Sequence, residues 1–238
     1  MGRTRRGLTE WLADFGRLVM PPVCVVCHGA LSRGEDFICL DCLANLPRTG
    51  IHGDGFNALH QRLAGRTPIQ RTAAMFYYYT QSLYADLIHE AKYNERPSIA
   101  RKLARLYATE LLKDNFFNDI DLLLPVPIHP WKKIVRGYNQ TEHIAMGIHD
   151  ATGIKIGDNL IVKRGHTSQT RKSAYDRWLN SRGIYMTKSP ASLAGLHVLI
   201  IDDVITTGAT LLACADAIHD TEPSALISVL TLGATHLR

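Results

Sequence analysis

No uninterrupted apolar run in this sequence reaches the roughly 18 residues that a membrane-spanning helix requires, so no transmembrane segment is expected. Proline and glycine, 10 and 18 of the 238 residues, are scattered and form no linker-like tract. No internal repeat occurs either, and the composition is not that of a disordered tail. A strong excess of one charge is also missing. The 27 basic residues stand against 22 acidic ones, and the resulting +5 leans toward acidic partners such as phosphates or nucleic acid without establishing any. Arg3, Arg5 and Arg6 resemble the positive end of a signal peptide, but Glu10, Asp14 and Arg17 follow and small cleavage-type residues do not. No export signal is expected, and the expected compartment is cytoplasmic. Cysteine is scarce, with 5 residues, and a reducing compartment does not sustain disulfides, so close cysteine pairs point to metal.

What is present is an ordinary globular composition, 46% hydrophobic and 21% charged, in a chain long enough for one substantial core plus a small module. Residues 8–20 place Leu8, Trp11, Leu12, Phe15, Leu18 and Val19 at helical spacing until Pro21 and Pro22 stop the helix. The mixed charge of its polar face favours packing on the main body over a membrane surface. The glycine-containing segment 50–55 reads as a connector, giving a module at 1–50 and a larger domain at 51–238. Within the latter, residues 73–80 suit a strand, and 83–92 and 99–112 suit helices, the second with Ile99, Leu103, Leu106 and Leu111 on one side. The continuous apolar runs 120–126 and 196–201 have the character of strands covered on both faces, which implies a parallel sheet. Between them lie a helix near 139–151 and a polar stretch at 163–182; a helix at 209–219 and a strand at 225–232 follow. The fold class is therefore α/β with a mostly parallel, Rossmann-like sheet, in which ligands bind beyond the C-terminal ends of the strands.

Cys24-x-x-Cys27 and Cys39-x-x-Cys42 supply two knuckles separated by eleven residues, a pattern that presents four thiolates to one tetrahedral Zn²⁺. The intervening segment is slightly short, and Gly29 and Gly34 are expected to provide the tight turns. Four protein ligands leave no open position, so the zinc is expected to be structural. His28 is a bystander and Cys214 a small buried hydrophobe on this reading. Arg33 and Phe37, accompanied by Glu35 and Asp36, give the loop little of the basic and aromatic character that a direct DNA-reading role requires.

Residues 198–210, VLIIDDVITTGAT, read as a buried strand, two carboxylates at its end, and a turn opening a helix. Gly208 permits close backbone approach, the first helical amides offer N–H donors, and Thr206, Thr207, Ala209 and Thr210 complete a cradle suited to phosphate. Asp202 and Asp203 suit vicinal sugar hydroxyls, or Mg²⁺ held directly or through water. A phosphate cradle beside an acid pair points to a ribose phosphate.

All thirteen positions of this segment resemble the phosphoribosyl pyrophosphate (PRPP) motif of type I phosphoribosyltransferases. Together with the helix ending in Pro21-Pro22, the cysteine pairs, Pro125-Val126-Pro127 and Arg136-Gly137-Tyr138-Asn139-Gln140, nearly the whole chain looks like the ComF family. Its members are competence-associated proteins related to phosphoribosyltransferases. The resemblance implies a type I phosphoribosyltransferase-like fold, PRPP with Mg²⁺ as ligand, and a role in uptake or processing of transforming DNA, with single-stranded DNA and competence proteins as partners.

It also implies a pyrophosphate contact from the loop after the first buried strand, where Lys132, Lys133 and Arg136 are the candidates. For Lys132 and Lys133 a solvated basic face is the competing reading; Asn139 and Gln140 are read as caps of the next helix. Residues 163–177, carrying Arg164, Arg171 and Lys172, match the position of the mobile loop that closes over the site. One departure concerns Thr206, which stands where purine-salvage enzymes carry an acid that acts as base toward the purine; a threonine cannot perform that transfer near neutral pH. Three readings stay open: a PRPP-binding competence protein, an active phosphoribosyltransferase releasing pyrophosphate as it acts on an unknown nitrogen acceptor, and a zinc-ribbon adaptor whose ligand pocket is only regulatory.

Overall fold

The computed structural model describes residues 21–65, 67–93, 96–162 and 183–235. The predicted helix at 8–20 and the whole of the predicted mobile loop at 163–177, with Arg164, Arg171 and Lys172, lie outside them. The chain divides into two compact units, one ending at Leu46 and one beginning at Pro47.

Among its described residues, the first unit is a pair of cysteine turns with one short helix. Val23 bridges Ala30 in antiparallel fashion, and the turn between them is closed by His28 N–H donating to Cys24 O (2.9 Å) and Cys24 N–H to Gly29 O (2.8 Å). The left-handed residue of this turn is His28, φ 57°, and not Gly29; Gly34, φ 98°, has the left-handed backbone expected of it. Helix α1 (Leu40–Ala44) is capped by Cys39, whose sulfur accepts from Cys42 N–H.

The second unit is built on a five-stranded sheet of β1 (Thr72–Tyr77), β2 (Leu122–Pro125), β3 (Lys155–Ile156), β6 (His197–Ile205) and β7 (Leu226–Ala234), with every pairing parallel. Strand order is β1-β7-β6-β2-β3, which puts the two apolar runs of the sequence side by side at the centre. Leu199, Ile200 and Ile201 of β6 and Leu123 and Leu124 of β2 are fully buried, as continuous apolar strands covered on both faces must be. A separate two-stranded antiparallel sheet, β4 (Leu160–Val162) and β5 (Tyr185–Thr187), lies on either side of the polar stretch 163–182 in the sequence.

The helices are α2 (Ala58–Arg62), α3 (Ala85–Tyr93), α4 (Pro97–Lys113), α5 (Pro130–Arg136), α6 (Gln140–Thr152) and α7 (Ala209–Thr221). In α4 the predicted apolar side is present, with Tyr107 fully buried where Leu106 is only half-buried. Alternation along β6 divides the core. Val198 and Ile200 cluster with Leu211, Cys214, Ala215 and Ile218 of α7, while Leu199 and Ile201 take the other face. The small buried Cys214 is part of that packing.

Two sequence expectations need correction. β6 does not stop before the acid pair: its pairing with β7 continues through Asp202↔Thr231 to Ile205↔Ala234, because a strand extends as long as its neighbour supplies partners. The basic segment after β2 is not an irregular loop. It forms α5, with Pro130 at the first turn, His129 Nδ1 accepting from Trp131 N–H (3.3 Å), and Gly137 closing the helix at φ 79°.

Candidate functional site

Connections from β6 and β2 leave in opposite directions across the sheet, β6 through α7 to β7 and β2 through α5 and α6 to β3. The crevice beyond the C-terminal ends of these adjacent strands is where an open parallel sheet places a ligand. The turn at 206–208 and helix α7 follow β6; residues 126–129 and helix α5 follow β2.

The turn has the geometry its composition suggests. Thr206 and Thr207 are exposed, Gly208 is buried in the left-handed conformation at φ 82°, and Ala209 N–H donates to Thr207 Oγ1 at 3.4 Å. Gly208 is the N-cap and offers no side chain to the first amides of the 13-residue helix α7, an arrangement favourable to an anion. A Cβ there would also lie 2.8 Å from Leu63 Cδ2, so the end of the leucine side chain would have to shift. The turn is tied down by Arg62, a residue that sequence reasoning passed over. Its guanidinium donates to Thr206 O (2.8 Å) and Thr235 O (2.6 Å), and burial holds its pKa below the usual value.

Asp202 and Asp203 do not form a side-by-side pair. Being consecutive in a strand, they face opposite sides of the sheet. Asp202 shares the α7 face, close enough to Tyr185 and Cys214 that its charge adds to the burial that raises both pKa values. Asp203 is on the other face, where Gln140 Nε2 donates to its Oδ2. Gln140 Oε1 in turn accepts from Arg136 Nη1, so Arg136 and Asp203, 67 positions apart, meet through one buried carboxamide.

Gln140 is therefore not a helix cap. The cap of α6 is Asn139, whose Oδ1 accepts from Thr141 N–H (3.3 Å) while its Nδ2 donates to Val126 O (3.1 Å). Lys133 is turned to Glu142, with Nζ 2.9 Å from Oε1, and the pair is largely exposed. Lys132 lies on α5 between Trp131 and Lys133.

The four cysteines of the first unit converge, with all ligand sulfurs within 4.8 Å of one another and Cys27 and Cys39 Sγ 3.8 Å apart. A tetrahedral Zn²⁺ with Zn–S bonds of about 2.3 Å requires S···S separations of roughly 3.8 Å, so the residues fit a metal ion. Backbone N–H groups of Val26 and Cys39 point at Cys24 Sγ, each at 3.4 Å. Although burial raises the Cys24 pKa, these amides and that of Cys27 outweigh it and lower it to about 6, toward the thiolate a metal needs. Glu35 braces the loop between the knuckles, accepting from Leu40 N–H (2.7 Å) and Ser32 N–H (2.6 Å), and these bonds lower its pKa. His28 is not among the converging ligands.

Among the described residues, no helix is long and apolar enough to cross a membrane.

Comparison with known proteins gives one domain match and several relatives. Residues 142–237 match the phosphoribosyl transferase domain, which spans α6, β6, the turn and α7. The DNA utilization protein YhgH of Salmonella typhimurium is 30% identical over 205 residues, covering 81% of this chain and 88% of that protein. Competence protein F of Haemophilus influenzae is 26% identical over 199 residues, 79% and 86% of the two chains. Among solved structures, the glutamine PRPP amidotransferase of B. subtilis aligns with a TM-score of 0.39 at 18% identity, over 59% of this chain and 30% of that one.

Proposed function

This chain belongs to the ComF family, and on that footing we propose that its β6–α7 turn binds PRPP in the service of DNA uptake or processing during natural competence. The observation that carries the reading is the turn itself. Two exposed threonines and a left-handed glycine lead into a helix whose N-cap carries no side chain, directly after a strand whose last residues include two carboxylates. Thr206, Thr207, Gly208, Ala209 and Thr210 would hold the 5-phosphate, with Asp202 and Asp203 directed at the ribose hydroxyls. Arg136 would meet the pyrophosphate end, with Lys132 and Lys133 adding positive charge. When Mg²⁺ accompanies the ligand it neutralises pyrophosphate charge, and the carboxylates would hold it directly or through water. The four cysteines would hold a structural Zn²⁺, closing all four positions.

The DNA role is supported by the names of the relatives, a DNA utilization protein and a competence protein, and by the net charge of +5. Single-stranded DNA held mainly through its phosphates binds with little base preference and weakens steeply as salt rises. Deleting the gene in a naturally transformable host tests this role. Transformation should fall; normal transformation, with no single-strand binding at low salt, would remove it.

The match to a phosphoribosyl transferase domain favours a second reading, transfer of the 5-phosphoribosyl group to a nitrogen acceptor with release of pyrophosphate. Thr206 cannot act as a base near neutral pH, so the acceptor's proton would have to leave by another route. Pyrophosphate release on adding candidate bases, independent of DNA, supports this reading; its absence across purine, pyrimidine and nicotinate acceptors would leave a binding protein.

A further inference from the structure

Gln140 is almost fully buried, at 3% exposure, as the first residue of α6. Its carboxamide has a donor and an acceptor end, and each faces the charge it suits. Nε2 donates to the Asp203 carboxylate on β6, and Oε1 accepts from the Arg136 guanidinium at the end of α5. A carboxylate of the same shape would oppose Asp203, an ammonium would oppose Arg136, and an apolar side chain would leave both buried bonds unmade. The amide thus joins the segment after β2 to the strand that precedes the phosphate turn.

We propose that Gln140 is a positioning residue of the PRPP site, setting Asp203 toward the ribose and Arg136 toward the pyrophosphate so that the two ends of one ligand are recognised as a unit. The role rests on the PRPP reading of the β6–α7 turn. It follows from the wiring: the two groups sit on different elements, and ordering either through a shared, desolvated amide lowers the cost of ordering the other. A residue that only capped or filled space would give no such linkage, and the capping is done by Asn139.

The test is calorimetric titration of the full chain with PRPP and Mg²⁺, comparing the parent with Gln140→Met, which keeps the length and packing but neither bond. Gln140→Met should weaken PRPP about tenfold with its thermal unfolding still cooperative. Asp203→Asn should then cost several-fold less affinity in the Gln140→Met background than in the parent, because the carboxylate is no longer held. A Gln140→Met chain that binds like the parent, or one in which the two losses multiply independently, overturns the positioning role alone. Should the methionine variant fail to fold, Gln140→Glu gives the same comparison, with a larger loss expected from the charge placed beside Asp203. A well-folded parent that shows no PRPP binding overturns the reading of the site and this role with it.

Discussion

The guanidinium of Arg62 donates to the carbonyl oxygen of Thr206 at 2.8 Å, across 144 positions of sequence, and so fixes the start of the phosphate turn from outside it. The same nitrogen donates to Thr235 O at 2.6 Å, which binds the turn to the residue after β7. An anion-binding turn is effective only if its amides are already aimed, and on the PRPP reading proposed above Arg62 would supply that aim. Arg62→Met keeps the aliphatic stem and removes both bonds. PRPP affinity should fall by about 1–3 kcal/mol, the usual worth of hydrogen bonds from a charged donor. Titration of the purified variant checks this, and an unchanged affinity would show the turn to be rigid without the clamp.

Gly208 carries two constraints, and one substitution reads both. Alanine at φ 82° is strained, and its Cβ would lie 2.8 Å from Leu63 Cδ2. Gly208→Ala should destabilise the chain by about 2–4 kcal/mol in urea melts, with strain and overpacking adding. Combining it with Leu63→Ala should not restore PRPP binding, since removing the clash leaves the backbone strain.

The parts of the fold set by local pattern were legible in the sequence. The two apolar runs became the central strands, and the spacing Cys24-x-x-Cys27 and Cys39-x-x-Cys42 announced a cluster that does converge. The end of β6 was not legible, because polar Asp202 and Asp203 break the hydrophobic run while parallel pairing with β7 continues past them. Helix α5 carried readable signals, Pro130 at its start and Gly137 after its end, but Trp131, Ile134 and Val135 are exposed, so apolar spacing there marked no core face. Arg62–Thr206 and Gln140–Asp203 join residues 144 and 63 positions apart, and no local pattern encodes such contacts.

The cysteine cluster predicts about one tightly held zinc per chain, because four thiolates in a closed shell contribute roughly 10–16 kcal/mol of apparent binding free energy. Elemental analysis of protein made under reducing, zinc-replete conditions reads the stoichiometry. Cys24→Ser or Cys39→Ser should release the metal and loosen the residues before Leu46, seen as faster proteolysis there. A metal-free parent chain would end the zinc assignment.

Buried His197 gives the stability a pH dependence of known sign. Burial, with Arg71 nearby, lowers its pKa, while Asp121 and Asp119 oppose the shift; its Nε2 lies 2.8 Å from Ser228 Oγ. The unfolded imidazole gains its proton near pH 6.5, before the folded one does, so stability falls as pH drops through about 6.5 and is unaffected by this group above about pH 7.5. Burial lowers the His143 pKa as well, and it acts in the same direction. The melting temperature should decline between about pH 7 and 5, and His197→Gln, which keeps a donor for Ser228, should reduce that slope. An equal slope in the variant would assign the dependence elsewhere.

The central claim, that the β6–α7 turn and its two carboxylates bind PRPP, is tested most directly by calorimetric titration of the parent and of the Asp202→Asn, Asp203→Asn double variant with PRPP and Mg²⁺. Because both residues lie within paired β6, the variant's unfolding curve must first match the parent's. The parent should then bind one PRPP per chain, and the double variant should lose at least about tenfold in affinity, roughly 1.4 kcal/mol. Binding of equal strength by a correctly folded double variant, or no binding by the parent, would contradict the assignment of the site.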